Sequence, residues 1–398
     1  MKILVVHNDY GKYSGEEAVV DSMIAEGRKA GHEIETLRRT SKGSRDRFFG
    51  KVHGFMAGIF SLSGRRMMRK ALRDFKPDIV HIHNLYPFIS PAVLPICRKN
   101  GVPVVMTVHN YRLICPTGLF LRDGKPCENC LKNGNEWDCI RYNCEHSRFR
   151  SLGYALRNAV ARWTRTYKDC VDLFCCLTTF QKEKLVAAGF DEEKITVIPN
   201  SVDYIEPQSE PLPECETDYV GYVGRLSEEK GYNLLLEVAQ RHPEIIFRFA
   251  GTPRDDKQIE VPTNVRLCGQ LTSKQLARFY TNARFIVIPS RCYEGFPVAL
   301  LEAASHNKCC IAPNHGAFPD LMKDKATENI CGLLFNPLEI NDLEKKVVQL
   351  WNDKKLTDHL GQQAEDNYQR RFLKNQVNKN WDNILNQITI KKQIISRL

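Results

Sequence analysis

The chain has 398 residues, 42% of them hydrophobic and 26% charged, which is the composition of a soluble globular protein long enough for two domains. It carries no run of about 18 apolar residues, so no membrane-spanning helix is expected. The net charge of +10 is lopsided: residues 1–200 hold 32 Lys and Arg against 21 Asp and Glu, and residues 201–398 hold 25 against 26, so the first half is the one suited to an anionic surface or ligand. A nucleic-acid binder would need a basic patch interleaved with exposed aromatics or a known module, and neither is legible.

In chain order, the apolar run Met1–His7 meets Asn8 and Asp9 too early for a signal peptide and reads as a first strand. A loop through Gly15 and a helix from about Glu17 to Ala30 follow. The loop lacks a full G-x-G-x-x-G and an acidic residue placed for a dinucleotide ribose. Gly15 is therefore read as a point where a ligand approaches the backbone. Residues 51–76 mix Phe55, Met56, Ile59 and Phe60 with Arg65, Arg66 and Arg69, and residues 148–168 add six more cations. These stretches suit either an anionic lipid surface or ordinary packing helices with a solvated basic face. Pro77–His83 and Val102–His109 are β-rich runs ending in polar residues. His83, Asn84, His109 and Asn110 then stand at the carboxyl ends of strands, where open parallel sheets bind ligands.

A cysteine-rich insertion spans about residues 115–146. Its Cys127, Cys130, Cys139 and Cys144 have a C-x2-C followed by a looser C-x4-C, a pattern compatible with a structural zinc or with reduced loop thiols. The other cysteines, such as Cys175, Cys176, Cys309 and Cys310, lie in apolar segments and read as reduced core residues of a cytosolic protein. A strand at Leu173–Thr178, a helix to about Gly189 and a strand at Ile195–Pro199 complete the first domain, residues 1–203. Residues 204–217, with three prolines, read as a linker.

The pattern restarts in a second domain, residues 218–370. Tyr219–Gly224 is a strand, Arg225–Gly231 a loop, and a helix runs to about Arg241. Further strands are expected at Ile245–Ala250, Val265–Leu267, Phe285–Ile288, Cys309–Pro313 and Cys331–Phe335, with a helix near Ser273–Asn282. Helices fill most of Asn341–Asn386, and residues 371–398 form a tail that could pack back on the first domain. Strand and helix alternate in both halves, which gives two α/β domains with a cleft between them.

The most informative stretch is Ser290–Lys308. After a buried-strand pattern comes a turn with Glu294 and Gly295, then an apolar helix expected to start with Pro297 at its first position. The free amides of Val298 and Ala299 at such a start attract phosphate. Glu294 before the helix and Glu302 within it would grip hydroxyls on either side of a diphosphate. Arg225 and Lys230 supply charge for a diphosphate leaving group. No Asp-x-Asp is present to hold a catalytic divalent metal, so protein cations and the helix start take that part.

This combination resembles the retaining glycosyltransferases of family four, which have a GT-B fold of two Rossmann-like domains facing each other across a cleft. The resemblance covers nearly the whole chain. It rests on the paired glutamates Glu294 and Glu302, on Val223–Gly231, Val197–Asp203, Gly332–Phe335 and Val105–His109. It implies that Glu294, Gly295 and Phe296 contact the donor sugar, the Val298 and Ala299 amides the diphosphate, and Glu302 the nucleoside ribose. Arg225 and Lys230 would carry leaving-group charge, Gly15 would approach the donor, and His109 would lie by the transferred sugar. The implied activity is metal-independent transfer from a nucleotide sugar to a saccharide or polyprenyl-linked acceptor in surface-polysaccharide synthesis. It would take place in the cytoplasm or peripherally on the inner face of an anionic membrane, with no cofactor in catalysis and no nucleic-acid partner. A nucleotide-sugar epimerase of the same fold and a basic nucleic-acid-binding protein are the alternative readings. The sequence departs from the family pattern at Ser14, Ser201 and His315–Asp320, and the cysteine insertion is not a family feature.

Overall fold

The computed structural model describes residues 1–10, 15–40, 48–207, 217–253, 258–324 and 326–395. The chain divides into two compact units. Unit 1 holds Met1–Leu119, Glu128–Pro199 and the chain from Asn378 onward; unit 2 holds Phe120–Cys127 and Asn200–Val377. Most of the linker expected at 204–217 lies outside the described residues.

Unit 1 is built on the strands β1 (Lys2–Asp9), β2 (Glu33–Thr40), β3 (Ile79–Asn84) and β4 (Val104–Val108). A short hairpin, β5 (Leu121–Arg122) and β6 (Lys125–Pro126), interrupts before β7 (Leu173–Cys176) and β8 (Ile195–Val197), and belongs to unit 2. The unit 1 strands form one six-stranded parallel sheet in the order β2-β1-β3-β4-β7-β8. β1, β3 and β4 are buried along nearly their whole length, as expected of central parallel strands covered by helices on both faces. The sequence pattern did not announce β2. It is an edge strand with only Ile34 and Leu37 buried, three residues apart, so it shows neither strict alternation nor a continuous apolar run.

Unit 2 has β9 (Tyr219–Val223), β10 (Phe247–Ala250), β11 (Val265–Gly269), β12 (Ala283–Val287), β13 (Cys310–Pro313) and β14 (Gly332–Phe335). They form a parallel sheet in the order β11-β10-β9-β12-β13-β14. Val220, Phe247, Phe249, Phe285, Leu235 and Val347 are fully buried in the core that joins one sheet face to its helices. Both units are thus Rossmann-like, but their strand orders differ. Unit 2 has the 3-2-1-4-5-6 order, and unit 1 the 2-1-3 start. The switch point, where successive connections leave in opposite directions, falls between β9 and β12 in unit 2 and between β1 and β3 in unit 1. Ligands bind outside the carboxyl ends of strands at such points.

Residues 51–76 fall in two helices, Phe48–Ile59 and Leu62–Phe75. Ser61 caps the second by accepting from the Gly64 amide, with its own hydroxyl bonded to the Phe88 carbonyl at 2.7 Å. Pro297 is the N-cap of the helix Val298–Ser305, not its first residue, with φ −80° and ψ 86°.

The loop after β9 depends on one glycine. Gly231 has φ +69°, and a Cβ there would lie 1.8 Å from the Pro289 carbonyl oxygen beyond β12. Any side chain must push apart the two loops that meet at the switch point. Gly231→Ala is expected to lower unfolding stability by more than about 1 kcal/mol, read as a lower urea midpoint. A midpoint equal to wild type would show that this close approach is not required.

Candidate functional site

In unit 2 the switch point gathers a cation and a carboxylate. The Lys230 ammonium donates to both Glu294 oxygens at 2.8 Å, and the Ser290 hydroxyl donates to the same carboxylate. Glu294 is buried. Burial alone would raise its pKa, but the Lys230 charge and the hydrogen bonds from Lys230 and Ser290 outweigh it and hold the carboxyl below its usual range. Burial likewise works against the Lys230 charge, and Glu294 more than offsets it, so the ammonium pKa is raised. The backbone clamps these loops together: the Arg291 amide donates to the Glu229 carbonyl at 3.0 Å and the Cys292 amide to the same oxygen at 3.4 Å. Arg225 is 43% exposed and pairs with the Glu229 carboxylate at 3.3 Å. Its guanidinium stands at the solvent side of the loop.

The helix Val298–Ser305 starts right after this cluster. The Val298 and Ala299 amides have no acceptor among the described residues, while the Leu300 amide already turns back to the Pro297 carbonyl. Two donors and the positive end of a helix therefore remain for an anion. Four residues into the helix, the Tyr280 hydroxyl donates to Glu302 Oε2 at 2.7 Å. Burial raises the Glu302 pKa, and the Tyr280 bond only partly counters it. Oε1 has no protein partner among the described residues, so the carboxylate is oriented by one oxygen and open at the other. Tyr280 was not singled out in the sequence, because on the helix Ser273–Asn282 it looks like any buried aromatic. Ser290 and Glu229 were also missed as working parts.

Gly295 lies between Glu294 and the helix. Phe296 is buried, with its ring edge-on to Phe372 at 6.2 Å, so its side chain serves the core and only its backbone borders the site. His315, in the segment that departs from the family pattern, bonds the Ser290 carbonyl through Nε2 at 3.0 Å and packs against the Tyr293 ring. It props the same loop from the other side.

In unit 1 four buried or half-buried histidines line the carboxyl ends of β1, β3 and β4. His83 Nδ1 and His109 Nε2 are 2.8 Å apart, and His81 Nε2 meets the Thr107 hydroxyl at 2.8 Å. His83 Nε2 has no hydrogen-bond partner among the described residues, so its ring is tied to the site through the Nδ1 contact with His109. Asn84 and Asn110 are spent locally: Asn84 donates to the Asn8 carbonyl and accepts from the Tyr86 amide, and Asn110 accepts from the Arg112 amide. Gly15 is the first residue of the helix Gly15–Lys29, and a Cβ there would have nothing within 4 Å. The unit itself does not require glycine at that position. Ser14 lies outside the described residues. Sequence reading missed Tyr10 and Arg112: Arg112 donates to the Tyr10 hydroxyl at 3.0 Å, which in turn donates to Glu16 at 3.0 Å.

Among the described residues Cys127, Cys130, Cys139 and Cys144 do not form a set whose ligand atoms lie within 4.8 Å of one another. Cys139 is buried and donates to the Ser151 carbonyl. Contact with Cys144, and then burial, push the Cys139 thiol pKa well up, and burial pushes Cys130 up to about 12. Among the described residues the one trio whose ligand atoms converge, within 4.8 Å, is His7, Asp9 and Glu17. There Arg38 already neutralises Asp9 at 3.3 Å, and the Tyr10 amide occupies Glu17.

Burial lowers the pKa of His7 to about 4 and of His81 and His109 to about 3, and holds that of His83 well below its usual value. All four are neutral in the folded state at neutral pH, while the unfolded chain protonates them near 6.5. The unfolded state thus binds more protons below that value, and stability is lost as pH falls from about 6.5 toward 4. Each histidine contributes up to about 1.4 kcal/mol per pH unit. Urea unfolding at pH 7.5 and at pH 5 should show a marked loss in the wild type and a smaller one in His81→Asn. Equal pH slopes in the two would contradict this assignment.

Each half of the chain matches a family model: Glycosyltransferase Family 4 over residues 13–204 and Glycosyl transferases group 1 over residues 206–367. A Klebsiella pneumoniae protein described as an uncharacterized 42.6 kDa protein in the cps region is 27% identical over 315 residues, 75% of each chain. The sulfoquinovosyl transferase of Arabidopsis thaliana is 26% identical over 73% of this chain and 53% of its own. Among solved structures, the Anabaena protein HepE in complex with UDP and glucose superposes with a TM-score of 0.67 at 15% identity, covering 97% of this chain and all of that one. Sucrose-phosphate synthase from Thermosynechococcus elongatus gives 0.70 at 14% identity over 98% and 99%.

Proposed function

The chain is a glycosyltransferase of the GT-B fold, and we propose that it moves a sugar from a nucleotide diphosphate to an acceptor hydroxyl with retention of anomeric configuration and without a divalent metal. The observation that carries this reading is the unit 2 switch point. Glu294, Lys230, two free helix-start amides and Glu302 follow one another there in the order that sugar, diphosphate and ribose would need. The HepE complexes with UDP and glucose support a uridine donor. In this reading the open Oε1 of Glu302 accepts from the ribose. The Val298 and Ala299 amides meet the diphosphate, and Glu294 and the Gly295 backbone border the sugar. Arg225 and Lys230 stabilise charge as the bond from the anomeric carbon to the phosphate oxygen breaks.

Glu294 is a poor candidate for a covalent nucleophile, because its oxygens already hold Lys230 and Ser290. That favours attack by the acceptor oxygen from the face the diphosphate leaves, with the acceptor proton passing to the departing phosphate oxygen. By the same reading His109, hydrogen-bonded to His83 at 2.8 Å, lies by the transferred sugar near the acceptor, and Gly15 approaches the donor. The chain's relatives point to a saccharide or lipid-linked acceptor in surface-polysaccharide or glycolipid synthesis: one is a cps-region protein and another an alpha-galactosylglucosyldiacylglycerol synthase. No helix among the described residues is long and apolar enough to cross a membrane. Yet eight of the twelve exposed large hydrophobics among the described residues fall between residues 56 and 163, among them Met56, Phe60, Phe149 and Trp163, in a stretch of sequence rich in arginine. Such a surface fits peripheral contact with anionic lipid.

Arg225→Ala is expected to lower kcat by about a hundredfold while stability stays within about 0.5 kcal/mol, since the side chain is exposed. Lys230→Ala should cost similar activity and also about 3–5 kcal/mol of stability, because it leaves Glu294 buried and unpaired. Full turnover in either variant would remove that cation from the mechanism, and loss of turnover in excess chelator would overturn the metal-free reading. In a nucleotide-sugar panel read by thermal shift, the true donor at a hundred times its dissociation constant stabilises by about 2.7 kcal/mol. Glu302→Gln should weaken that shift; an unchanged donor affinity would withdraw the ribose role.

A further inference from the structure

Unit 1 holds a cavity of about 260 Å³ that the transfer reaction does not use. Its walls come from the segments leading into three strands. Arg98 belongs to the helix Leu94–Lys99 ahead of β4; Arg165, Lys168 and Asp169 lie at the short helix Thr166–Cys170 ahead of β7; and Gly189 to Lys194 precede β8. β4, β7 and β8 are adjacent and parallel. The cavity therefore opens at the amino edge of the sheet, opposite the edge where His83 and His109 stand, a strand length of about 15 Å away.

Four cations line the cavity against two carboxylates. Arg165 pairs with Asp169 at 3.2 Å, and one oxygen of Asp191 accepts from the Glu193 amide at 3.1 Å. Arg98, Lys168 and Lys194 have no carboxylate partner among the described residues. The Lys168 ammonium instead donates to the Ala188 carbonyl at 3.2 Å, and Lys194 to the Lys168 carbonyl at 3.4 Å. These bonds fix the two ammonium groups at the cavity wall without neutralising them. Burial, followed by repulsion from Arg165 and Arg162, depresses the Lys168 pKa, consistent with uncompensated positive charge. The backbone is also held in a demanding shape here: Arg165 has φ 52° and ψ 20°, the left-handed region that non-glycine residues avoid.

We propose that this amino-edge cavity binds a phosphate-bearing anion, with Arg98, Lys168 and Lys194 holding its oxygens. A guanidinium fork and two point charges are the chemistry that phosphate oxygens select. The volume is several times the roughly 30 Å³ of a water molecule, enough for a diphosphate or a phosphodiester head. The anion could be a soluble phosphate or a lipid headgroup, and the exposed Trp163 two residues before Arg165 suits the second source.

The test compares wild type with Lys168→Ala/Lys194→Ala, and with Arg98→Gln as an exposed single change. Each is measured against inorganic pyrophosphate by calorimetry and against phosphatidylglycerol and phosphatidylcholine vesicles by co-sedimentation. Loss of two charges should weaken binding roughly thirtyfold at an unchanged melting temperature. Wild-type binding to phosphatidylglycerol vesicles that the double variant loses identifies a headgroup. Binding to pyrophosphate alone, lost in the same variant, identifies a soluble phosphate. Equal binding of either probe by wild type and both variants, or no binding of any probe by wild type, overturns the proposal. The reaction's leaving-group cations lie in unit 2, so that outcome leaves the transfer reaction standing.

Discussion

Unit 2 is organised around one ion pair, a buried carboxylate with a half-buried ammonium. Lys230 and Glu294 come from loops 64 residues apart in sequence, each following a strand that borders the switch point. Taking both charges out of water is costly, and the Coulombic gain offsets it only where hydrogen bonds satisfy the remaining lone pairs. Ser290 and the two contacts from Lys230 do that here, while the Glu229 carbonyl ties the backbones of the two loops together. Gly231 belongs to the same constraint, since only a residue without Cβ lets the first loop lie on Pro289.

Such a pair stands ready for a ligand in a way that a free lysine would not. A solvated ammonium must be ordered when an anion arrives, and that ordering costs side-chain entropy. Lys230 is already ordered by Glu294, and an arriving diphosphate would share its charge rather than recruit it. Glu302 is prepared by similar means, one oxygen held by Tyr280 and the other left open.

Much of this was legible in the sequence because it is local. The helix Ser273–Asn282, the strands of unit 2 and the turn from Glu294 to Glu302 all announce themselves within a dozen residues, by apolar runs, caps and turn residues. What could not be read is what depends on partners far away in sequence. The Lys230–Glu294 bond, the Tyr280 hydroxyl on Glu302 and the His83–His109 contact each join two elements whose neighbourhood only the strand order decides. The strand order itself was closed to sequence reading, since the two sheets differ at the start although their strand-and-helix patterns look alike.

The charge asymmetry of the sequence acquires a physical meaning from where the cations end up. In unit 2 the two cations of the site each face a carboxylate, Lys230 on Glu294 and Arg225 on Glu229, so the resting site is nearly neutral and an anionic ligand exchanges partners rather than filling a charged hole. In unit 1 the surplus is spent differently. Part of it lies at the amino-edge cavity, where Arg98, Lys168 and Lys194 are held in place by backbone oxygens or left exposed rather than neutralised. A protein gains nothing in stability from uncompensated cations crowded at one edge of a sheet, since like charges repel across a short distance. Their persistence beside a strained turn is easier to account for if an anion arrives from outside the fold, and the opposite edge of the same sheet, with its four neutral histidines, is then free to meet an uncharged sugar.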